Sequence, residues 1–318
     1  MDQSSVQFIA ISILIALAVD WYFGEPPNYL HPVISMGLFL NWATVHYAPI
    51  NAEKFTRGSY YQLLKGALLW GLGAAATISI AFIFIWILEP FNFYIYSFLT
   101  GIVLSSLLSW RMLRNEVLAV SFALDQSLTL GREQVSRLVS RNVNSLTDIQ
   151  VRESAIETLA ENLNDSVIAP LFWFAVGGLP AAALYRFANT ADAMWGYKIS
   201  KNGFYWEWFG KCAAKVDDIL SWIPAMLTAL FIFLIARVSL FRALLTESRK
   251  TPSPNGGWPM GAMALVLGLK LSKSGVYELN PQGRAPGAGD IQGACRIGDK
   301  MIVFISLLCG LLLIGSSL

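Results

Sequence analysis

Apolar residues run in long blocks along this chain, with short polar breaks between most of them. A helix that crosses a bilayer needs about 20 predominantly apolar residues. Blocks of this kind occupy residues 6–21, 63–88, 91–110, 219–236 and 301–314, and each predicts a spanning helix. Glu89-Pro90 joins the second block to the third, a link short enough only for a hairpin. Tyr94, Tyr96 and Trp110 near the ends of the third block predict an interfacial aromatic belt. Residues 167–187 are also apolar, but Pro170, Gly177-Gly178 and Pro180 interrupt them. That pattern predicts a broken or re-entrant helix, because non-helical backbone survives at membrane depth only where protein or a water-filled cavity satisfies it. Residues 260–271 are short for a span and read as re-entrant or interfacial.

Two longer polar stretches set the remaining organisation. Residues 111–165 predict cytoplasmic helices over 125–137 and 148–165, the second capped by Thr147 or Asp148 and carrying Ile149, Ile156, Leu159 and Leu163 near the helical period. Six Arg fall in 111–165 and eight Lys or Arg in 241–300, whereas the chain ahead of the first block has none, the first being Lys54. The positive-inside rule then puts the amino terminus outside and both large loops in the cytoplasm. Residues 1–22 lack a basic leading region and a small-residue cleavage site, so they read as a retained span and not as a signal peptide. The expectation is an all-α polytopic membrane protein, with residues 1–318 one integral membrane domain and 111–165 a cytoplasmic helical insertion.

Composition supports this. Of 318 residues, 55% are hydrophobic and 14% charged, with mean hydropathy +0.52. Soluble domains carry about 25% charged residues, so too little polar surface is available to cover a water-soluble globule. The net charge of +2 comes with no basic block of the kind that grips nucleic acid. Cys212, Cys295 and Cys309 have no paired spacing, and His31 and His46 are the only histidines, which excludes a disulfide framework and a His-rich metal site.

The candidate chemistry concentrates in three runs. On a helix, Glu153, Glu157 and Glu161 share one face, and Asp165 extends the row. Like charges at that spacing oppose a helix by about 0.2–0.5 kcal/mol per pair, and no Lys or Arg four residues on compensates. A solvated acidic face is the plain explanation. Because the row leads into the broken apolar segment, its carboxylates would sit at a membrane boundary, where a ligand is the better reason for them. Glu157, Glu161, Asn162 and Asp165 therefore read as hard oxygen ligands for Mg²⁺, with phosphate and water completing the shell. The second run holds Arg186, Asn189, Asp192, Gly196 and Lys198; Asn189 and Asp192 lie one turn apart, and Lys198 offers a point charge to phosphate. The third is Asp217-Asp218, at the head of the next apolar helix, where acids are also favoured electrostatically. Outside these runs, His31 follows the rigid Gly24-Glu25-Pro26-Pro27 turn as a candidate base or phosphate donor, although a lone loop histidine is more often a plain hydrogen-bonding residue. Asn255 lies in a Ser253-Pro254-Asn255-Gly256-Gly257 loop with the glycine content of an anion cradle, without the strand and Gly-Lys-Ser/Thr of a P-loop.

In this order the segments resemble the adenosylcobinamide-phosphate synthase family of membrane-bound cobalamin biosynthesis proteins. The resemblance rests on Gly24-Glu-Pro-Pro with His31-Pro-Val, Ile156-Glu-Thr-Leu-Ala-Glu-Asn-Leu-Asn-Asp165, and Tyr185-Arg-Phe-Ala-Asn-Thr-Ala-Asp-Ala-Met-Trp-Gly-Tyr-Lys198, followed by Val216-Asp-Asp218, Ile223-Pro-Ala225 and Ser253-Pro-Asn-Gly-Gly-Trp-Pro-Met260. It implies an amide-forming synthase that joins adenosylcobyric acid to aminopropanol or its phosphate, using ATP and Mg²⁺. It further implies a cell-membrane location, neighbouring cobalamin-assembly enzymes as partners, catalytic roles for His31, Glu157, Glu161, Asp165 and Asp192, further Mg²⁺ ligation by Asn189, Asp192, Asp217 and Asp218, and phosphate contacts from Arg141, Arg186, Lys198 and Asn255. Three positions depart from the family pattern: Asn142 stands where Asp is usual, Met226 where Arg is usual, and Glu25 where Asp is usual. The acidic pairs alone suit a Mg²⁺-dependent transferase of diphosphate substrates equally well, and a non-catalytic paralogue would keep the same fold.

Overall fold

The computed structural model describes residues 3–50 and 59–316; Lys54 lies outside them. The chain is a succession of helices: α1 (Gln3–Tyr22), α2 (Pro32–Tyr47), α3 (Ser59–Leu88), α4 (Phe93–Ser105), α5 (Trp110–Gln126), α6 (Leu128–Ser136), α7 (Asp148–Leu163), α8 (Ala169–Trp195), α9 (Lys211–Ala236), α10 (Phe241–Glu247), α11 (Gly257–Leu267) and α12 (Asp290–Gly315). Two small antiparallel hairpins, β1–β2 (Ser200–Lys201 with Phe204–Tyr205) and β3–β4 (Leu271–Lys273 with Tyr277–Leu279), are the strands among the described residues. Among the described residues, six helical stretches are long and apolar enough to cross a membrane: Gln3–Tyr22, Ser59–Leu88, Phe93–Gln126, Asp148–Trp195, Lys211–Ala236 and Asp290–Gly315. The protein is the helical polytopic membrane protein that the apolar blocks predict.

The chain forms two compact units. The described residues of the first fall within Met1–Val19, Glu25–Leu108 and Ala169–Leu220. In it, α8 packs on α2 and α3. Gly73 of α3 admits α8, since a Cβ there would sit 2.4 Å from the Phe187 ring, and Gly66 admits the segment ahead of α9, since a Cβ there would sit 2.0 Å from the Phe209 carbonyl oxygen. The interruption expected in residues 167–187 is present: Gly177 (φ −142°, ψ 22°) and Gly178 (φ 66°, ψ −161°) are non-helical, the second in a region open to glycine and strained for any other residue. This bend lets α8 meet α9 twice. The Trp173 indole donates to the Leu220 carbonyl at 3.0 Å, and the Asn189 amide donates to Asp217 at 3.4 Å. Sixteen residues of α8 would span about 24 Å if straight, against about 5 Å for the three residues of α9 between the two contacts. The connection after α8 lies at the same end of this unit as the connection after α2, because the Tyr205 N–H donates to the Pro49 carbonyl at 2.8 Å.

The second unit falls within Asp20–Gly24, Ser109–Ile168 and Ser221–Leu318. Here α7 is surrounded by α5, α6, α11, α12 and β3. Thr147 caps α7 in a reciprocal capping box with Gln150. Three expectations need correction in this unit. The helix read over 125–137 is divided at Ser127, whose hydroxyl accepts from the Leu130 N–H and starts α6, so Asp125 belongs to the end of α5. Trp110 is no belt residue: it is 1% exposed, its indole N–H donates to Asp299 at 3.2 Å, and its ring fills the space that Gly298 leaves. Residues 260–271 are not one continuous helix: they divide between α11 and β3. α11 ends at Gly268, which is left-handed at φ 63°, and its apolar sides are buried by protein, with α10 and α7 packed against it.

Candidate functional site

The acidic row lies on α7, outside the membrane-crossing part of its helix. Asp148–Trp195 has 48 residues, more than twice the roughly 20 that a span needs. Its charged first third is α7, which carries Asp148, Arg152, Glu153, Glu157 and Glu161.

At Glu153 and Glu157 the row is not a solvated face. Glu153 is 1% exposed, and the Ser272 hydroxyl bridges both carboxyl oxygens at 3.0 and 3.2 Å. Burial pushes its pKa up, with Ser272, Lys270 and Arg141 opposing. Glu157 is 5% exposed; one carboxyl oxygen lies 3.7 Å from Arg141 Nη2, and the other is buried with no partner at hydrogen-bonding distance. Burial pushes the Glu157 pKa up to about 8, against the pull of Arg141 and of the Tyr277 hydroxyl, and Glu153 and Glu161 add to the rise. A carboxyl held this way is largely protonated at neutral pH, which relieves the like-charge repulsion that the spacing of the row would otherwise impose. Burial and Glu157 raise the Tyr277 phenol above its ordinary range in turn. Arg141 is held by a hydrogen bond to the Ser154 hydroxyl.

Arg141, Ser154, Glu157 and Tyr277 line a polar pocket of about 200 Å³ within the second unit. Arg141 and Lys273 supply positive charge, Glu157 and Glu161 supply carboxyls, and Asn162 and Tyr277 complete the polar wall. Asn162 donates its amide to the Thr158 carbonyl at 3.0 Å, which turns its nitrogen to the helix. Asp165 does not line this pocket. The backbone changes to a π turn over Asn164–Ile168, and the Asp165 carboxylate accepts from the Asn164 amide at 2.8 Å, while Asn164 accepts from the Thr228 hydroxyl at 3.0 Å. Asn255 is buried with its amide oxygen unpartnered. The backbone N–H groups of Asn255 and Gly256 donate to the Ser253 hydroxyl, and Gly256 lets the loop approach Glu161, whose Oε1 would be 3.3 Å from a Cβ there.

The other residues singled out from sequence belong to the first unit. Arg186, 9% exposed, donates to the Asn189 amide oxygen at 3.3 Å, and Asn189 donates on to Asp217. Asp192 folds over the end of α8 into the space left by Gly196, where a Cβ would be 1.9 Å from its carboxylate. Asp218 turns the other way and pairs with Lys215 at 3.1 Å, and Lys198 is exposed. His31 acts as a cap: its Nδ1 accepts from the Val33 N–H at 3.3 Å at the start of α2, and its Nε2 lies 3.4 Å from Glu25.

Among the described residues, no three His, Cys, Asp or Glu side chains gather as a metal cage. Mg²⁺ does not require one, since it commonly takes one or two carboxylates with phosphate and water. The exposed Glu161, with Asn162 beside it, fits that sparse ligation; Glu157, protonated near neutrality and beside Arg141, fits proton exchange better. Sequence reasoning did not single out Lys273, Tyr277 or Ser272. They sit on a short hairpin with no motif, and only its packing on α7 brings Lys273 and Tyr277 into the pocket and Ser272 onto Glu153. Of the departures, Asn142 is exposed and accepts from the Asn144 N–H at 2.9 Å in a local turn, and Met226 is 39% exposed on α9.

The sequence model of the family described as CobD/Cbib protein matches residues 13–298. A probable cobalamin biosynthesis protein CobD of Methanothermobacter thermautotrophicus is 39% identical over 273 residues, 84% of this chain and 85% of that protein. The protein of the same description from Pyrococcus furiosus is 34% identical over 96% of this chain and 99% of its own length. The cobalamin biosynthesis protein CobD of Dehalococcoides mccartyi is 32% identical over 85% and 86%. No solved structure matches the chain. With a match that runs nearly end to end and relatives above 30% identity, the chain belongs to the CobD/Cbib protein family.

Proposed function

We propose that this protein is an amide-forming synthase of cobalamin biosynthesis in the cell membrane, which joins a side-chain carboxylate of adenosylcobyric acid to aminopropanol or its phosphate with ATP and Mg²⁺. The observation that carries this reading is the pocket on α7, in which Arg141 and Lys273 face the carboxyls of Glu157 and Glu161. At about 200 Å³ it suits a small amine, with an ammonium group against the carboxyls and a phosphate against the cations.

The chemistry sets the requirements. A carboxylate is a poor electrophile, so one of its oxygens must first be converted to a phosphate leaving group at the expense of ATP. The ammonium gives up one proton, its nitrogen bonds to the carbonyl carbon, the carbon–oxygen bond breaks with phosphate as leaving group, and the nitrogen loses a second proton and keeps one in the amide. Glu157, with a pKa of about 8, exchanges its proton just above neutral pH, so its ionised form can take a proton from the amine and activity should rise as pH climbs toward 8. Arg141 and Lys273 orient phosphate oxygens and offset their charge. Bound Mg²⁺, held by Glu161 and Asn162, would neutralise phosphate charge.

The test is an assay of membranes or purified protein with adenosylcobyric acid, ATP and either aminopropanol or its phosphate, with and without Mg²⁺. Corrinoid amide with stoichiometric release of inorganic phosphate is expected, lost in Glu157→Gln. Absence of amide from well-inserted protein, with turnover of a prenyl diphosphate instead, would favour a diphosphate transferase.

A further inference from the structure

Within the first unit, α2, α3, α4 and the second half of α8 enclose a cavity of about 360 Å³. Its walls are aliphatic and aromatic, and among the described residues Ser35 and Thr77 are the hydroxyl-bearing ones that line it. One end is closed where the rings of Phe39 and Phe187 meet over Gly73, each within 2.5 Å of where a Cβ would stand. At the other, Ile80 lies on the rim and is 68% exposed. It sits on α3, most of whose apolar length is left uncovered by protein, so the opening is continuous with a surface that in a membrane protein faces lipid.

We propose that this cavity holds an acyl chain of a bilayer phospholipid, which enters beside Ile80 and supports α8 just beyond its break. Water does not fill an apolar cavity of this kind, because it finds no partners there, and leaving it empty forfeits dispersion contacts around the whole wall. In a bilayer the abundant mobile species that suits such a space is a hydrocarbon chain. The chain would touch Leu179 and Ala183, the first two turns after Gly177-Gly178, and end against Phe187. Arg186 and Asn189 occupy the same turns of α8 as Phe187, so the occupant helps set the register of that polar cluster.

The test uses the full-length protein in nanodiscs of phosphatidylcholine doped with a phosphatidylcholine that carries a diazirine on one acyl chain. After irradiation, crosslinks are mapped by peptide mass spectrometry. Crosslinks to Met36, to residues 80–84 and to Leu179 or Ala183 are expected. Filling the cavity with Ala183→Phe should cut them at least fivefold while leaving those to Leu307 and Leu311, exposed on α12, unchanged. Thr77→Phe fills the space from the opposite wall and gives the same reading if Ala183→Phe does not fold. An unlabelled cavity, or lining crosslinks that persist in a folded filled variant, would overturn the proposal.

Discussion

Glu157→Gln tests the buried carboxyl directly. The side chain is 5% exposed, and burial is the largest influence on its pKa, which rises from 4.5 to about 8. The folded protein therefore binds this proton more tightly than the unfolded chain does. The sign follows: the contribution is fully present below about pH 4.5 and is lost as pH rises through about 8, because the native state holds the extra proton across that window. A shift of this size corresponds to an upper limit of about 5 kcal/mol between the two ends of the window. Glutamine keeps the shape and stays neutral, so the variant should lack this slope. The assay is thermal unfolding of both proteins in one detergent from pH 5 to pH 9, read as the difference between the two curves so that groups common to both cancel. Wild type should lose stability relative to Glu157→Gln by several kcal/mol as pH approaches 9. Amide formation by the variant should fall by about 10²–10⁴-fold, the range for a lost general base. Parallel stability curves across the window would refute a buried, proton-binding Glu157.

The remaining expectations follow from single contacts. Arg141→Gln removes the cation that holds Glu157 down, so the acidic limb of the pH–rate profile should move to higher pH, and KM for an aminopropanol phosphate substrate should rise. Asn142→Asp should leave activity within about twofold, since the local turn needs only an oxygen acceptor at that position. Gly66→Ala puts a Cβ 2.0 Å from the Phe209 carbonyl, and overpacking against backbone should lower stability by about 1–3 kcal/mol, seen as a lower Tm. In a background without native cysteines, Ile50→Cys and Ile199→Cys should react with a membrane-impermeant maleimide from the same side, because Tyr205 and Pro49 are hydrogen-bonded; labelling from opposite sides would contradict the described end of the first unit.

Much of the architecture is legible in the order of residues. Helices in lipid must satisfy their own backbone, so the long apolar blocks could be little else, and Gly177-Gly178 with Pro180 marked the bend of α8 where it occurs. The i, i+4 spacing was enough to put Glu153, Glu157 and Glu161 on one face. Local pattern misled where packing replaced solvent or lipid. Trp110 resembles a belt residue until Gly298 and Asp299 are seen beside it, and α11 resembles a membrane segment because protein surrounds its apolar sides.

What the face of α7 does chemically was decided only in three dimensions. A carboxylate at a helical spacing carries no statement about its charge, because charge depends on the medium and partners that the fold supplies. The tertiary structure buries Glu157, sets Arg141 at 3.7 Å from it and brings Tyr277 and Lys273 in from a hairpin more than one hundred residues away. Sequence alone determined that this is a lipid-embedded helical protein with an acidic stripe. Packing determined which member of that stripe gives up its charge, since desolvation is a property of surroundings and not of spacing.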